Sequence, residues 1–178
     1  MLLTLDKSKP LALALIVLMA WFDNGLAQLA IEEENLVAAL SLNILRFSTL
    51  PESSSTAFNL CVYGDNVTKE AFSSLESKSI GTRSLHVMPL SHLIDLDRCN
   101  ALYINDVKAN ILSQLFNELR KKPILTIGST ESFADNGGMI GLRKTNGKLG
   151  IDINLRVINE SAIVVSSRLL SLAKIVDQ

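Results

Sequence analysis

The sequence predicts a single three-layer α/β domain with a mainly parallel sheet, helices on both faces and a C-terminal antiparallel β-hairpin. Apolar strand-like runs alternate with amphipathic segments along much of the 178 residues, an order typical of parallel sheets covered by helices. Near the C-terminus, two apolar segments flank Asn146-Gly147, a dipeptide that favours a hairpin turn. A composition of 48% hydrophobic and 20% charged residues suits one globular domain.

Residues 1–27 are predicted to be a signal peptide, which leaves 28–178 as the mature domain. Two lysines precede an apolar run over 11–22, and the small residues Gly25 and Ala27 suit a signal-peptidase site. The run is shorter than the roughly 18 apolar residues that span a membrane. We therefore expect export, cleavage after Ala27 and no direct membrane insertion; the alternative is an uncleaved anchor or a buried helix.

The first part of the mature chain alternates between helical and strand patterns. Apolar residues at three- and four-residue spacing predict a helix that begins at Glu32 and ends before Pro51. An acidic first turn suits the positive end of the helix dipole. The apolar run over 58–63 predicts a buried strand, after which Asp65 or Asn66 can cap a second helix.

The middle of the chain continues the alternation. Period-two patterning predicts strands, and three- and four-residue spacing predicts helices. The expected elements are a strand over 84–90, a short helix from Ser91, a strand over 101–104, a helix over 107–119 and a strand over 124–127.

The last third has a different pattern. Residues 138–143 and 149–153 are the expected strands of the hairpin, and a helix or turn should follow Asn154. The closing segment, 166–176, carries closely spaced leucines that predict a broad apolar face.

Cys61 and Cys99 both lie in the part of the chain expected to be exported. An oxidising compartment favours a disulfide, and their sulfurs can meet if the neighbouring apolar runs form adjacent strands. Such a cross-link would contribute about 4 kcal/mol. The alternatives are two free buried thiols or a zinc site with His86 and His92, although the four residues lack close-paired ligand spacing.

The sequence gives little support for catalysis, cofactor binding or nucleic-acid binding. It contains no phosphate-binding loop, dinucleotide fingerprint or nucleophile elbow. Gly137-Gly138 is more typical of a tight turn, and the two histidines are better interpreted as structural or solvated than as bases. With 17 basic and 18 acidic residues, no overall field favours nucleic acid.

Four acidic residues stand near predicted strand ends, where ligands of open α/β sheets usually bind. They are Asp65, Glu131, Asp135 and Asp152. Turn and cap roles are the preferred interpretation of these residues.

Four motifs stand in the C-terminal part of the chain: Gly137 to Ile140, Asn146-Gly147, Ile153 to Leu155 and Ser166 to Leu170. Through these motifs, the residues over 137–176 closely resemble the YfiR family of exported bacterial proteins. Further upstream, the similar residues are Cys61 to Asp65, Pro123 to Gly128, Phe133, and Asn43, Phe47 and Pro51 of the first helix. The resemblance covers roughly Leu36 to Val176, and its two cysteines match one disulfide of the family.

The resemblance implies regulation rather than catalysis. YfiR-like proteins are periplasmic repressors that bind the periplasmic sensor domain of an inner-membrane diguanylate cyclase. They hold down cyclic-di-GMP synthesis and biofilm formation, and an outer-membrane lipoprotein can sequester them. The resemblance also implies a homodimer.

Two sets of candidate site residues follow. Arg46 and Phe47, at the end of the first helix, are candidates for partner binding, although Phe47 in the core and a solvated Arg46 are the simpler interpretation. A second hypothesis is a periplasmic small-molecule sensor that uses Ser129, Glu131 and Arg168, chosen as polar residues near turns or within the C-terminal motif. An unrecognised hydrolase is the third.

Overall fold

The computed structural model describes residues 9–51, 55–94, 96–120, 122–145 and 148–176. Side chains are described from Gln28 onward. The predicted turn at Asn146-Gly147 lies outside the described residues.

Helices and strands alternate along most of the chain. The helices are α1 (Lys9–Arg46), α2 (Asn66–Ser73), α3 (Ala109–Leu119), α4 (Leu155–Asn159) and α5 (Ser167–Leu170), with a 3-10 turn at Leu96–Arg98. The strands are β1 (Ser48–Thr49), β2 (Ala57–Tyr63), β3 (Ser79–Ile80), β4 (Arg83–Leu90), β5 (Ala101–Ile104), β6 (Leu125–Gly128), β7 (Ile140–Thr145), β8 (Lys148–Asn154), β9 (Val164–Val165) and β10 (Ala173–Val176).

Eight strands form one mixed sheet in the order β10-β8-β7-β6-β5-β2-β4-β3. The pairs from β4 through β2, β5 and β6 to β7 are parallel, and so is the pair β8–β10. The β7–β8 pair is the antiparallel hairpin, with Ile140 opposite Ile153. The predicted α/β class, the mainly parallel sheet and the hairpin are therefore confirmed.

Helices cover both faces of this sheet. Alternate residues of the central strands point to opposite sides: Leu60 of β2 and Tyr103 of β5 lie in the core beneath α1 and α2, whereas Leu102 packs with Leu112 of α3 on the other face. Burial of apolar side chains on both sides explains why these strands read as continuous apolar runs.

Helix α1 is longer than the sequence pattern predicted, since it begins at Lys9 instead of Glu32. Residues 28–33 are exposed, and Glu34 is the first buried residue in the described part of the helix. No helix within the described segments is both long and apolar enough to cross a membrane.

Two local predictions are wrong. Residues 91–93 form bends on the surface, and the helical turn found among the described residues between Ser91 and β5 is the 3-10 turn, in which Leu96 is buried. The closing segment 166–176 divides into α5 and β10, so Leu172 is 69% exposed instead of joining one apolar face. In the closing segment, pairing with β8 determines the structure. Residues 173–176 form a strand, although their apolar spacing would also suit a helix.

The predicted glycine turn serves to pack Phe133 between two strands. Gly137 has φ +104°, a conformation that favours glycine. A Cβ atom at Gly138 would lie 2.2 Å from the Phe133 ring, and one at Gly128 would lie 2.3 Å from it. The ring, only 2% exposed, therefore occupies space that any side chain at either position would need.

The disulfide predicted between Cys61 and Cys99 is present. Cys61 lies on β2, and Cys99 precedes β5, the neighbouring parallel strand. Their Cα atoms are 5.7 Å apart, and both residues are buried. Adjacent strands thus bring the sulfurs together, as the sequence suggested.

Removing both sulfurs should destabilise the fold. The double variant Cys61→Ala/Cys99→Ala should lose about 2–5 kcal/mol of unfolding free energy, because the unfolded chain regains the entropy of an open loop. Urea unfolding under oxidising conditions measures the loss. Reductant should shift the wild type and leave the variant unchanged; equal stabilities of the two oxidised proteins would contradict this account.

A methyl group at Gly138 should collide with Phe133. Gly138→Ala should lower the unfolding free energy by about 1–3 kcal/mol, a typical cost of overpacking a core. The same substitution in a Phe133→Ala background should cost much less, since the ring is gone. Denaturant unfolding of the four proteins gives the coupling energy, and a coupling of zero would show that the two residues do not compete for space.

Candidate functional site

The carboxyl ends of β2, β5 and β6 meet at one edge of the sheet. In open α/β sheets this edge is the usual place for ligands. Asn105 follows β5 and Ser129 follows β6, and their backbone N–H groups donate to Tyr63 and Ile104. The ladder therefore fixes two polar side chains beside each other.

A chain of hydrogen bonds runs from this edge to α1. Ser129 Oγ donates to Asn105 Oδ1 (2.9 Å), so it accepts from the Tyr103 hydroxyl at 2.8 Å. Asn105 Nδ2 donates to Thr68 Oγ1 (3.2 Å), whose hydroxyl donates to Glu34 Oε2 (3.1 Å). We call these five residues the polar chain. Each hydroxyl has one hydrogen to give, so the donors point in one direction and end on a carboxylate.

The carboxylate at the end of the polar chain is balanced by a lysine. Glu34 is 8% exposed, and a buried carboxylate requires hydrogen bonds or a counter-charge. Lys144 Nζ, from β7, lies 3.6 Å from Glu34 Oε1 and 3.0 Å from Glu33 Oε1. The polar chain and this lysine therefore join α1 to both α2 and the hairpin.

Burial and capping set the titration of two groups near the polar chain. Burial raises the pKa of Tyr103, so its hydroxyl stays protonated as a donor. Asp65 caps α2 by accepting from Thr68 N at 2.7 Å, and this hydrogen bond lowers the pKa of Asp65. The predicted cap role of Asp65 is confirmed.

A cavity of about 560 Å³ lies next to Ser129. Its walls come from the β6–β7 loop, β7, β8 and β10, and they include the predicted ligand residues Ser129 and Glu131.

Arg143 also lines this cavity and donates to both oxygens of Asp152, at 2.9 Å from Nε and 3.0 Å from Nη2. These bonds raise the pKa of Arg143. Asp152 therefore lies near the end of β8, as predicted, but as an ion-pair partner and not as the predicted turn or cap residue.

The third predicted ligand residue, Arg168, lies elsewhere. Its guanidinium carbon is 5.5 Å from the centre of the Phe47 ring, a cation–π distance. Phe47 is half-buried, and neighbouring Arg46 is exposed, with Nε donating to Ser79 O at 3.2 Å. The structure thus brings Arg168 to the predicted partner residue Phe47 and separates it from Ser129 and Glu131.

Exposed apolar side chains accompany this Arg168–Phe47 contact. Strand β1, directly after Phe47, pairs with β9, where Val164 is 63% exposed. Leu172, just beyond α5, is 69% exposed. We call Phe47, Val164, Arg168 and Leu172 the β1–β9 patch.

The two histidines have the surroundings that the sequence predicted: one is hydrogen-bonded within the structure and the other is exposed to solvent. His86 Nδ1 lies 3.0 Å from Glu76 Oε1, and Glu76 Oε2 accepts from Val87 N at 2.7 Å. The backbone bond and then the histidine lower the pKa of Glu76. His92 is exposed. Within the described residues, no group of three histidine, cysteine or acidic side chains could hold a metal ion.

Sequence reasoning missed most of the polar chain. Thr68 lies more than thirty residues from Tyr103 and Asn105 in the sequence, and each residue type is common in helices or at strand ends. The only available signal was a polar residue directly after each buried strand, which Asn105 and Ser129 both provide.

Breaking the polar chain at its centre should destabilise the domain. Thr68→Val keeps the shape but removes the hydroxyl, which leaves Glu34 without one donor and Asn105 without one acceptor. We expect a loss of about 1–3 kcal/mol in unfolding free energy. Thr68→Ser retains the hydroxyl and is the control. Equal losses for the two variants in urea unfolding would mean that the hydroxyl contributes no more than the packing of the methyl group that Thr68→Ser removes.

Comparison with known proteins identifies the family. The YfiR/HmsC-like family matches residues 34–174, a segment that contains the polar chain, both cysteines and the β1–β9 patch. A comparison with curated proteins finds no match. Because the family match covers well over half of the 178 residues, the chain belongs to the YfiR/HmsC-like family.

Proposed function

We propose that this protein is a periplasmic regulator that binds the periplasmic domain of an inner-membrane diguanylate cyclase and represses cyclic-di-GMP synthesis. The observation that carries the proposal is the family match over residues 34–174. A regulator of this kind needs no catalytic group. It needs a surface that binds one state of the cyclase more tightly than the other.

Two features support the periplasmic location. The disulfide between Cys61 and Cys99 is of a kind that persists outside the cytosol. Residues 1–27 carry the basic start, apolar run and small residues of a signal peptide. The proposed working form is therefore 28–178, released by cleavage after Ala27.

The β1–β9 patch is the proposed docking surface for the cyclase. Exposed apolar side chains next to an arginine are typical of the centre of protein interfaces. Val164 and Leu172 are more than half exposed, and Arg168 is held over Phe47. Burying these apolar side chains would stabilise the complex, and hydrogen bonds from the arginine would orient the partner.

The family resemblance supplies two more proposed partners. An outer-membrane lipoprotein would sequester the repressor and so relieve the cyclase, and a second copy of the chain would form a homodimer. Either contact could control how much repressor reaches the cyclase.

The cavity beside Ser129 favours a second candidate function, binding of a small molecule. Glu131 and Asp135 line it without an ion-pair partner among the described residues, and Lys174 provides a cation on β10. Ser129 belongs both to the cavity and to the polar chain. A bound molecule could therefore alter how α1 is held, which makes a sensor role compatible with repression.

Charge on the β1–β9 patch should abolish repression. Val164→Asp and Leu172→Asp, each supplied to cells that lack the gene, should leave cyclic-di-GMP as high as in the deletion strain. The physical reason is that a carboxylate cannot be buried cheaply in an apolar interface. Extracted cyclic-di-GMP and capture of the membrane cyclase by the tagged protein are the two measurements.

Ile111→Asp is the matched control, because Ile111 is an exposed apolar residue of α3, on the opposite face of the sheet. It should repress like the wild type. Repression by both patch variants at normal protein levels would remove the patch from the proposal. A deletion strain with unchanged cyclic-di-GMP would contradict the proposed function itself.

A further inference from the structure

We propose that Gln28 becomes the N-terminal residue on export and then cyclises to pyroglutamate. The inference rests on the proposed cleavage after Ala27, which gives Gln28 a free α-amine. It adds a covalent modification site to the proposed regulator.

The reaction needs only groups that the chain supplies. The unprotonated α-amine of Gln28 attacks Cδ of its own side-chain amide and forms a five-membered lactam. The Cδ–Nε2 bond breaks, and the nitrogen leaves as ammonia after gaining a proton that the attacking amine loses. No oxidant or co-reactant takes part, and the product lacks one ammonia relative to the linear chain.

The surroundings of Gln28 leave its side chain available. Gln28 is exposed, as are the next five residues of α1, so the amide is not committed to the core. Its Nε2 lies 3.4 Å from Glu32 Oε1, one helical turn away. The carboxylate is therefore placed beside the leaving nitrogen, where it can deliver a proton to that nitrogen once cleavage has freed the α-amine.

The charge at the start of the mature helix favours the cyclised form. A free α-amine has a pKa of about 8, so it is mostly cationic at neutral pH. A cation at a helix N-terminus opposes the helix dipole, and the lactam removes that charge. The ring also leaves a neutral end next to Leu29 and Ile31, whose side chains are exposed.

Mass spectrometry of the exported protein tests the proposal. The full-length chain is expressed, the periplasmic fraction is purified, and the intact mass and the N-terminal peptide are followed during incubation at growth temperature. The expected species begins at residue 28 and lacks one ammonia. A synthetic linear peptide handled in parallel corrects for cyclisation during the measurement.

Two variants sharpen the result. Gln28→Asn is one methylene shorter and would need a four-membered ring, so it should keep a free amine. Glu32→Gln should cyclise several-fold more slowly than the wild type. An unchanged rate in Glu32→Gln would overturn the role of that carboxylate.

The remaining outcomes separate this inference from the proposed function. A chain that begins at linear Gln28 and stays linear overturns cyclisation and leaves export and repression intact. A chain that begins at another residue overturns both the cleavage after Ala27 and the modification.

Discussion

Strands β2 and β5 are joined twice, by their parallel backbone ladder and by the disulfide between Cys61 and Cys99. This junction lies inside the sheet, with β4 on one side and β6 on the other. Side chains of both strands enter the two cores, one under α1 and α2 and one under α3. Because the helices of both faces pack on these strands, the register of the strands also determines where the carboxyl edge of the sheet lies.

The polar edge and the apolar packing depend on that register. With β5 and β6 aligned, Asn105 and Ser129 fall side by side and can continue the polar chain from Tyr103 towards Glu34. In a low-dielectric interior such hydrogen bonds are stronger, and an unpaired member is costly. The polar chain therefore anchors α1 at Glu34, where the buried part of the helix begins, while residues 28–33 remain exposed.

Local patterns predicted the elements whose signals are contained in a few residues. The cap at Asp65, the central strands and the hairpin follow from apolar periodicity and turn chemistry. Strand β10 was missed because its partner, β8, is decided by tertiary pairing, and the leucines before it suit a helix equally well. The site was predicted only in part: Ser129 and Glu131 reach one cavity, but Arg168 reaches Phe47. Contacts between residues so far apart in sequence produce no recognisable pattern in the sequence around either residue.

The proposed regulator must function where thiols are oxidised. The most direct measurement is the thiol state of Cys61 and Cys99 in intact cells, trapped by acid quenching and then alkylated under denaturing conditions. Neither sulfur should be alkylated unless reductant is added first. Alkylation of both cysteines without reductant would place the working protein in a reducing compartment and would rule out a periplasmic regulator.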